Sequence, residues 1–216
     1  MKSFNVVLIF MFLIGVSTIF AQNADSKGNL CDAEANRQFD FWIGEWSIKQ
    51  KILKANGKWF EADAETKVMP AIDGCALVEN WSGEVLFFWE GMKTPEKIKG
   101  FSIRSFNPKT QKWVINWMDT RNPQFNSFEG NFADGKGEFF RTIKPAEGKE
   151  TIARITFSNV AKTSVLWELA ISSDDKKNWQ TLWIMEMKRK PVESFPSATD
   201  RPEDERQCSG RSIVSV

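Results

Sequence analysis

The 216-residue sequence contains no histidine and no tyrosine. Histidine is the usual proton carrier near neutral pH, the base that activates serine and cysteine nucleophiles, and the commonest ligand of zinc and haem. Tyrosine is an alternative haem ligand, so only methionine or cysteine remains for haem iron. These absences exclude most ordinary catalytic machinery. We therefore expect no cofactor and no stable haem complex, and the composition favours a non-catalytic role while it leaves cofactor-free catalysis open.

The sequence also lacks an excess of either charge, with 29 Lys and Arg against 28 Asp and Glu. Nucleic-acid binding needs a surplus of cationic side chains on one face, because each contacted phosphate must be neutralised. The charge balance therefore excludes nucleic acid as a partner. No run of clustered oxygen ligands of the kind found in calcium-binding loops is present either, so we expect no metal site.

The first 21 residues have the pattern of a signal peptide. Lys2 precedes an apolar run over residues 6–20, and Ala21-Gln22 is a suitable cleavage point. The alternative is a membrane anchor, but this run falls short of the roughly 20 apolar residues needed to span a bilayer. We predict a cleaved signal peptide over residues 1–21, a periplasmic or secreted protein, and no membrane span after cleavage.

Cysteine is scarce, with Cys31, Cys75 and Cys208 as its three occurrences. In an oxidising compartment three cysteines allow one disulfide and one free thiol. Cys31 and Cys208 fall in irregular segments, whereas Cys75 is placed at the start of an apolar strand. This placement favours a Cys31–Cys208 bridge that joins the two tails, with Cys31–Cys75 as the alternative.

Aromatic residues are abundant, with 10 Trp and 18 Phe, and they crowd into residues 39–46. After a polar N-terminal segment over residues 22–33, the spacing of Phe39, Trp42 and Ile43 predicts a helix over residues 34–43. From Gly44 onward the apolar period changes to two, which is typical of a half-buried strand. We predict that the aromatic face of this short helix closes one end of a β-barrel.

Alternating apolar residues, separated by turn signals such as Asn56-Gly57, predict about ten short strands. They cover residues 44–52, 59–69, 75–81, 97–106, 113–119, 125–132, 137–143, 151–157, 165–172 and 179–188. Residues 83–96 are less regular and predict a loop or lid. Sequential strands with short connections are antiparallel neighbours, and so many in one domain close into a barrel or form a sandwich. We predict an all-β fold, a single antiparallel barrel of 8–10 strands in a domain over residues 34–190, followed by an irregular tail over residues 191–216.

Residues 39–46, Phe-Asp-Phe-Trp-Ile-Gly-Glu-Trp, resemble the opening signature of a bacterial protein family of unknown function. Further matching positions, which extend the resemblance over residues 38–190, are Gly74, Cys75, Glu79, Trp81, Gly100, Ser102, Phe106, Trp113, Trp117, Asp119, Ser173, Asp174, Trp179 and residues 185–189. The resemblance implies a lipocalin-like (calycin) barrel of about ten strands and no established activity. The related haem-binding barrels use a histidine ligand, which this sequence lacks.

Inward and outward positions alternate along barrel strands, and this identifies candidate ligand contacts. Glu79 shares a face with Trp81, and Asp119 shares a face with Trp117. The whole candidate set is Trp46, Glu79, Trp81, Ser102, Arg104, Trp117, Asp119, Arg154 and Trp183. The charged members are either structural ion pairs, Glu79–Arg104 or Asp119–Arg154, or the few polar groups that orient a ligand in an apolar pocket.

The Trp- and Phe-rich interior favours non-catalytic binding of a small apolar or amphipathic molecule inside the barrel of an exported protein. A first alternative is a protein-interaction module whose barrel is fully packed. A second alternative is a cofactor-free isomerase or hydrolase that uses Glu79 or Asp119 as its acid or base. An open cavity would favour ligand binding, and a packed interior would favour the interaction module.

Overall fold

The computed structural model describes Cys31, residues 33–144 and residues 149–191. The predicted signal peptide, most of the polar N-terminal segment and nearly all of the C-terminal tail, including Cys208, lie outside the described residues. None of the helices in the described part of the chain is long and apolar enough to cross a membrane.

Ten antiparallel strands form one closed barrel. The strands are β1 Gly44–Leu53, β2 Trp59–Ala71, β3 Ala76–Val85, β4 Glu96–Asn107, β5 Lys112–Asp119, β6 Asn126–Ala133, β7 Lys136–Ile143, β8 Thr151–Ser158, β9 Ser164–Ser172 and β10 Gln180–Arg189. Each strand pairs with its neighbours in sequence, and β1 also pairs with β10, which closes the sheet. The predicted all-β antiparallel barrel is confirmed, at the upper end of the predicted strand number.

The first strand shows how the sequence pattern makes the barrel. Alternate residues of β1 from Trp46 onward point inward and are buried, and the residues between them face outward. The one polar residue in the inward series is Gln50, whose amide donates to the carbonyl of Glu84 at 2.8 Å and accepts from Trp183 Nε1 at 2.8 Å. Both polar ends of this buried amide are therefore satisfied, and one of them holds the Trp183 ring in place.

A short helical segment closes one end of the barrel, as predicted. It consists of α1, Glu34–Arg37, and a 3₁₀ turn, Asp40–Trp42, rather than one continuous helix over residues 34–43. We call residues 34–42 the plug. Phe39 is fully buried, and its ring centroid lies 4.8 Å from those of Trp113 and Phe132. Edge-to-face aromatic contacts of this kind attach the plug to the neighbouring strands β5 and β6.

Gly44 allows the chain to turn from the plug into β1. Its φ of +130° is a conformation that L side chains rarely adopt, and an added Cβ would collide with the guanidinium of Arg189. That guanidinium donates hydrogen bonds to the carbonyls of Phe41 and Ile43 and lies 4.2 Å from the Trp46 ring. The end of β10 is thereby bound to the start of β1 next to the plug.

The disulfide joins Cys31 to Cys75, with a Cα–Cα distance of 4.8 Å. The favoured Cys31–Cys208 pairing is therefore wrong, and the alternative is confirmed. Cys75 lies in the bend between a 3₁₀ turn, Ile72–Gly74, and β3, not in a strand. The plug runs beside this bend, since an added Cβ on Gly74 would lie 3.5 Å from Arg37 Nη1. The path of the plug thus brings Cys31 to Cys75.

The predicted loop over residues 83–96 is partly strand. β3 continues to Val85, and a 3₁₀ turn, Phe88–Glu90, follows it. Phe87 and Met92 flank this turn and are buried, and the Phe87 ring centroid lies 5.0 Å from that of Trp183. The segment therefore packs onto the barrel at the end opposite the plug, which we call the open end.

Candidate functional site

A cavity of about 300 Å³ lies inside the barrel between the plug and the open end. Its aromatic lining consists of Trp42, Trp81, Phe87, Trp89, Trp117, Phe128, Phe157, Trp167 and Trp183. An engineered apolar cavity of about 150 Å³ holds benzene, so this cavity has room for a molecule of roughly two fused rings. It also reaches the lower end of the size range of natural ligand pockets, about 300–1,000 Å³.

The tryptophan walls are fixed by contacts with one another. The Trp81 ring packs edge to face against Trp117, at a centroid distance of 6.1 Å, and against Trp183, at 5.7 Å. Trp183 also packs against Trp167 at 5.1 Å. Because the rings support each other and Gln50 holds Trp183, the walls present flat apolar faces without much freedom to collapse into the cavity.

One glycine makes room for this arrangement. Gly100 on β4 pairs with Asp119 on β5, so its missing side chain would point inward beside Trp117. An added Cβ would lie only 1.9 Å from Cη2 of Trp117. The Trp117 ring therefore occupies the place that any other residue at position 100 would fill.

The polar part of the cavity is a network around Glu79. One carboxylate oxygen accepts from the Thr66 hydroxyl at 3.0 Å, and the other accepts from the Ser102 hydroxyl at 2.8 Å. Arg104 also donates to the second oxygen, and its side chain is only 2% exposed. The predicted Glu79–Arg104 ion pair is therefore present, and Thr66 is a member that the sequence analysis missed. Its position on the inward face of β2, two residues before buried Val68, was the available signal.

The Arg104 guanidinium lies beneath the aromatic residues of the plug. Its central carbon is 5.0 Å from the Phe39 ring centroid and 5.3 Å from that of Trp42, within cation–π distance. Burial lowers the pKa of Arg104, while the charge of Glu79 and its hydrogen bond act in the opposite direction. A buried cation in this place is tolerated because the carboxylate and the ring faces replace water.

Several buried N–H groups at this depth have no acceptor among the described residues. They are Nε and Nη1 of Arg104 and the indole Nε1 groups of Trp42 and Trp81. All three residues line the cavity. These groups are donors only, so each of them could be satisfied only by an atom that accepts hydrogen bonds.

Arg141 on β7 also lines the cavity, and the sequence analysis did not identify it. It shares the inward face of β7 with Gly137 and buried Phe139. Burial lowers the pKa of the Arg141 guanidinium. The alternation of Gly137, Phe139, Arg141 and Ile143 could have placed it inside, although an arginine in a strand more often faces solvent.

Two predicted site residues lie away from the cavity. Arg154 is on the outer face of β8, where it forms an ion pair with Glu138 at 3.4 Å and lies 4.1 Å from the Trp179 ring. It alternates with inward-facing Ala153 and Ile155, so it cannot meet Asp119 inside the barrel. Trp46 is inward but lies behind the plug residue Trp42, and its indole donates to the Trp42 carbonyl at 2.9 Å.

The other seven predicted site residues line the cavity: Glu79, Trp81, Ser102, Arg104, Trp117, Asp119 and Trp183. Asp119 is at the open end, where one oxygen accepts from the backbone N–H groups of Arg121 and Asn122 at 2.9 and 3.0 Å. Its other oxygen accepts from the Trp117 indole at 3.3 Å. Asp119 therefore holds the turn after β5 and the orientation of a cavity wall.

A second carboxylate, Glu90, lies at the open end. Burial, and then the neighbouring charge of Asp119, raise the pKa of Glu90, and Arg121 opposes this effect. Arg121 lies 3.4 Å from Glu90 and 3.6 Å from Glu96. The acids at this end thus have their own cationic partner. Among the described residues, no group of three or more Cys, Asp or Glu side chains could hold a metal ion.

No protein-family model matches the sequence, and no curated protein matches it. Among solved structures, the chain is similar to an S-type phycobiliprotein lyase, CPES, from Guillardia theta, with 11% identity, a TM-score of 0.48 and coverage of 71% of this chain and 91% of that one. It is also similar to a DUF3598-family protein of unknown function from Nostoc punctiforme, with 6% identity, a TM-score of 0.24 and coverage of 72% and 99%. We assign neither ligand nor activity from these similarities, and the resemblance of residues 38–190 to a bacterial family stays a prediction.

Proposed function

We propose that the protein binds one small, largely apolar molecule inside its barrel. The observation that carries this proposal is the cavity of about 300 Å³, which is walled by aromatic rings and lined by Arg104 and Trp81, residues with unpaired buried N–H donors. A barrel that served only as a packed scaffold for protein contacts would fill this space with side chains. The cavity therefore favours ligand binding over the interaction module.

The unpaired donors define one end of the ligand. A buried N–H group without an acceptor costs about 1–3 kcal/mol, and more when the group is charged. Arg104 leaves two such groups, and Trp81 leaves one in the same cavity. A ligand with an acceptor atom, such as a carbonyl or ether oxygen, at its buried end would offset this cost. We expect the remaining surface of the ligand to be apolar, because it would face indole and phenyl rings.

Catalysis by the carboxylates is the weaker alternative. Both oxygens of Glu79 accept hydrogen bonds, from Thr66 on one side and Ser102 on the other. Asp119 is engaged with two backbone amides and an indole. Each carboxylate is thus held by three donors of the protein, which makes it poorly suited to act as a general base.

We also propose that the protein acts outside the cytoplasm. The signal-like residues 1–21 support this location, and so does the Cys31–Cys75 disulfide, since stable disulfides form in oxidising compartments. Cell fractionation of the source organism, with the intact mass of the purified protein, tests it. We expect a mature chain that begins at Gln22. A cytoplasmic protein that retains Met1 or Lys2 would contradict this part of the proposal.

Native mass spectrometry of the protein purified from its own source, followed by solvent extraction, tests ligand binding. We expect one small molecule per chain, and titration with fatty acids, aromatic acids and isoprenoids should change the intrinsic tryptophan fluorescence. The variant Leu169→Trp puts an indole into the cavity and should abolish the response, because Leu169 lines it. Thr142→Trp adds the same group on the exposed face of β7 and serves as the matched control. No co-purified molecule together with no fluorescence response would refute binding.

A further inference from the structure

Arg141 is placed where a ligand would enter or leave the cavity. On β7 it pairs with Ala153 of β8, and only the Thr142 and Ile143 pairs lie beyond it before the strand ends. Ile143 also lines the cavity and is partly exposed. The Arg141 head group is therefore near the open end, while the Glu79–Arg104 network lies deeper, next to the plug.

The charges that face the cavity are matched except at this position. Glu79 pairs with Arg104, and Glu90 with Arg121. Asp119 is neutralised in part by the backbone and indole donors around it. Within the described residues, the guanidinium of Arg141 forms neither an ion pair nor a side-chain hydrogen bond. Among the residues that the structure describes, it is thus a cation lining a ligand-sized cavity without a counter-charge.

A partly buried guanidinium has given up part of its hydration, and without a counter-charge nothing offsets that loss. Burial also lowers the pKa of Arg141, and no acid among the described residues opposes this effect. The planar guanidinium fork matches the geometry of a carboxylate or a phosphate and can bind either through two parallel hydrogen bonds. An oxyanion on the ligand would supply the missing partner.

We propose that the ligand is a flat aromatic or conjugated molecule with one oxyanion group, which Arg141 binds at the open end of the cavity. The flat body would lie against Trp81, Trp117 and Trp183, whose edge-to-face packing exposes planar faces. An acceptor atom at the far end would meet the buried donors of Arg104 and Trp81. This inference rests on the proposed ligand binding in the barrel and specifies the class and orientation of the ligand.

Calorimetric titration of the full chain with matched probes tests the inference. The probes are 2-naphthoate, the neutral isostere 2-naphthamide, and 2-naphthyl phosphate. We expect the wild-type protein to bind naphthoate about tenfold or more tightly than naphthamide, the effect of one hydrogen-bonded charge pair. Arg141→Gln should bind both at the affinity of the amide. Arg154→Gln, which removes the same charge from the outer face of the neighbouring strand, should keep the preference.

Arg141→Lys keeps the charge but loses the fork, so an intermediate preference for naphthoate should remain. The ratio of phosphate to carboxylate affinity identifies which oxyanion the site takes. Equal binding of naphthoate and naphthamide by the wild type would overturn the role of Arg141 and leave binding in the cavity intact. A preference for naphthoate that survives in Arg141→Gln would also overturn the role of Arg141 without refuting binding in the cavity. If neither probe binds, both this inference and the proposed function fail for molecules of this class.

Discussion

Arg104 donates to Glu79 inside the barrel, and the exposed fractions of the two side chains are only 2% and 7%. Thr66 and Ser102 also donate to the carboxylate, one to each oxygen, whereas two N–H groups of Arg104 have no acceptor among the described residues. Both oxygens of the acid are thus hydrogen-bonded, while the guanidinium keeps unpaired donors. In the proposed ligand binding, this asymmetry gives the pair a second role beside its structural one.

Removal of one member of the pair should be far more damaging than removal of both. Arg104→Met leaves the Glu79 carboxylate buried without a counter-charge, and we expect a loss of about 3–5 kcal/mol in the free energy of unfolding. The double variant Glu79→Gln/Arg104→Met should recover part of that loss. Urea unfolding measures both. A single variant that is as stable as the double variant would contradict the ion pair.

Gly100→Ala should displace the Trp117 ring, because the new Cβ would lie 1.9 Å from the ring in its present position. We expect a loss of about 1–3 kcal/mol from overpacking and a weaker response to cavity ligands. In a Trp117→Leu background, Gly100→Ala should cost less stability than it costs in the wild-type protein. Thermal unfolding and ligand titration give the comparison. An equal cost of the alanine in both backgrounds would show that Trp117 is not the cause.

The Cys31–Cys75 disulfide closes a loop across a sequence separation of 44 residues. Loss of this bridge in Cys31→Ser/Cys75→Ser should cost about 2–4 kcal/mol, mainly because the unfolded chain gains freedom. Cys208→Ser should keep the bridge and serves as the control. Mass mapping of non-reduced peptides identifies the pairing directly. A bridged peptide that contains Cys208 would restore the Cys31–Cys208 assignment.

The turn between β9 and β10 should make stability depend on pH in the acid range. The Asp174 carboxylate accepts from the Asn178 backbone and side chain and from Ser172, and these hydrogen bonds lower its pKa from 3.8 to about 2. Because the folded-state pKa is the lower one, the stabilisation is present above pH 3.8 and disappears as the pH falls towards 2.

Asp174→Asn removes the titrating carboxylate. The Tm of this variant should therefore fall furthest below that of the wild type at about pH 5.5, and less far below it at about pH 2.5. Thermal unfolding of both proteins at the two pH values measures the difference. A deficit that stays constant between them would mean that the charge of Asp174 is not involved.

Phe39 should be the main anchor of the plug. It is fully buried and contacts Trp113, Phe132 and Phe157. Phe39→Ala should destabilise the barrel by about 3–5 kcal/mol, through lost burial and the cavity left behind. Phe125→Ala removes the same ring from a site that is 52% exposed and should change stability by less than about 0.5 kcal/mol. Similar losses in the two variants would argue against the plug.

The periodicity of single strands could be read from the sequence because a strand that is buried on one face records its burial in alternate residues. It correctly placed Glu79, Trp81, Arg104 and Trp117 on inward faces. It failed at Arg154, where Ile152, Ala153 and Ile155 put apolar residues on both faces of β8. Arg141 was missed for the opposite reason, since a lone arginine in a strand gives no local sign that it lines a cavity.

The cysteine pairing could not be deduced either, because it depends on where the plug runs over the barrel. Both Cys31 and Cys208 fall outside the predicted strands, and this suggested that they pair. The real partner of Cys31 lies in a bend that the plug crosses, 44 positions further along the chain. Contacts between segments so far apart in the sequence are set by tertiary packing, and the local alternation of apolar residues does not show them.

The sequence by itself determined the fold class, the order of the strands and the aromatic plug. Each of these follows from local alternation, turn residues and the change of period at Gly44. Only the tertiary structure decided that β10 returns to β1, that the interior holds a cavity, and which charges have partners inside it. Closure, cavity volume and ion pairing depend on distances between strands that are remote in sequence. Packing forces set those distances once the whole barrel has formed.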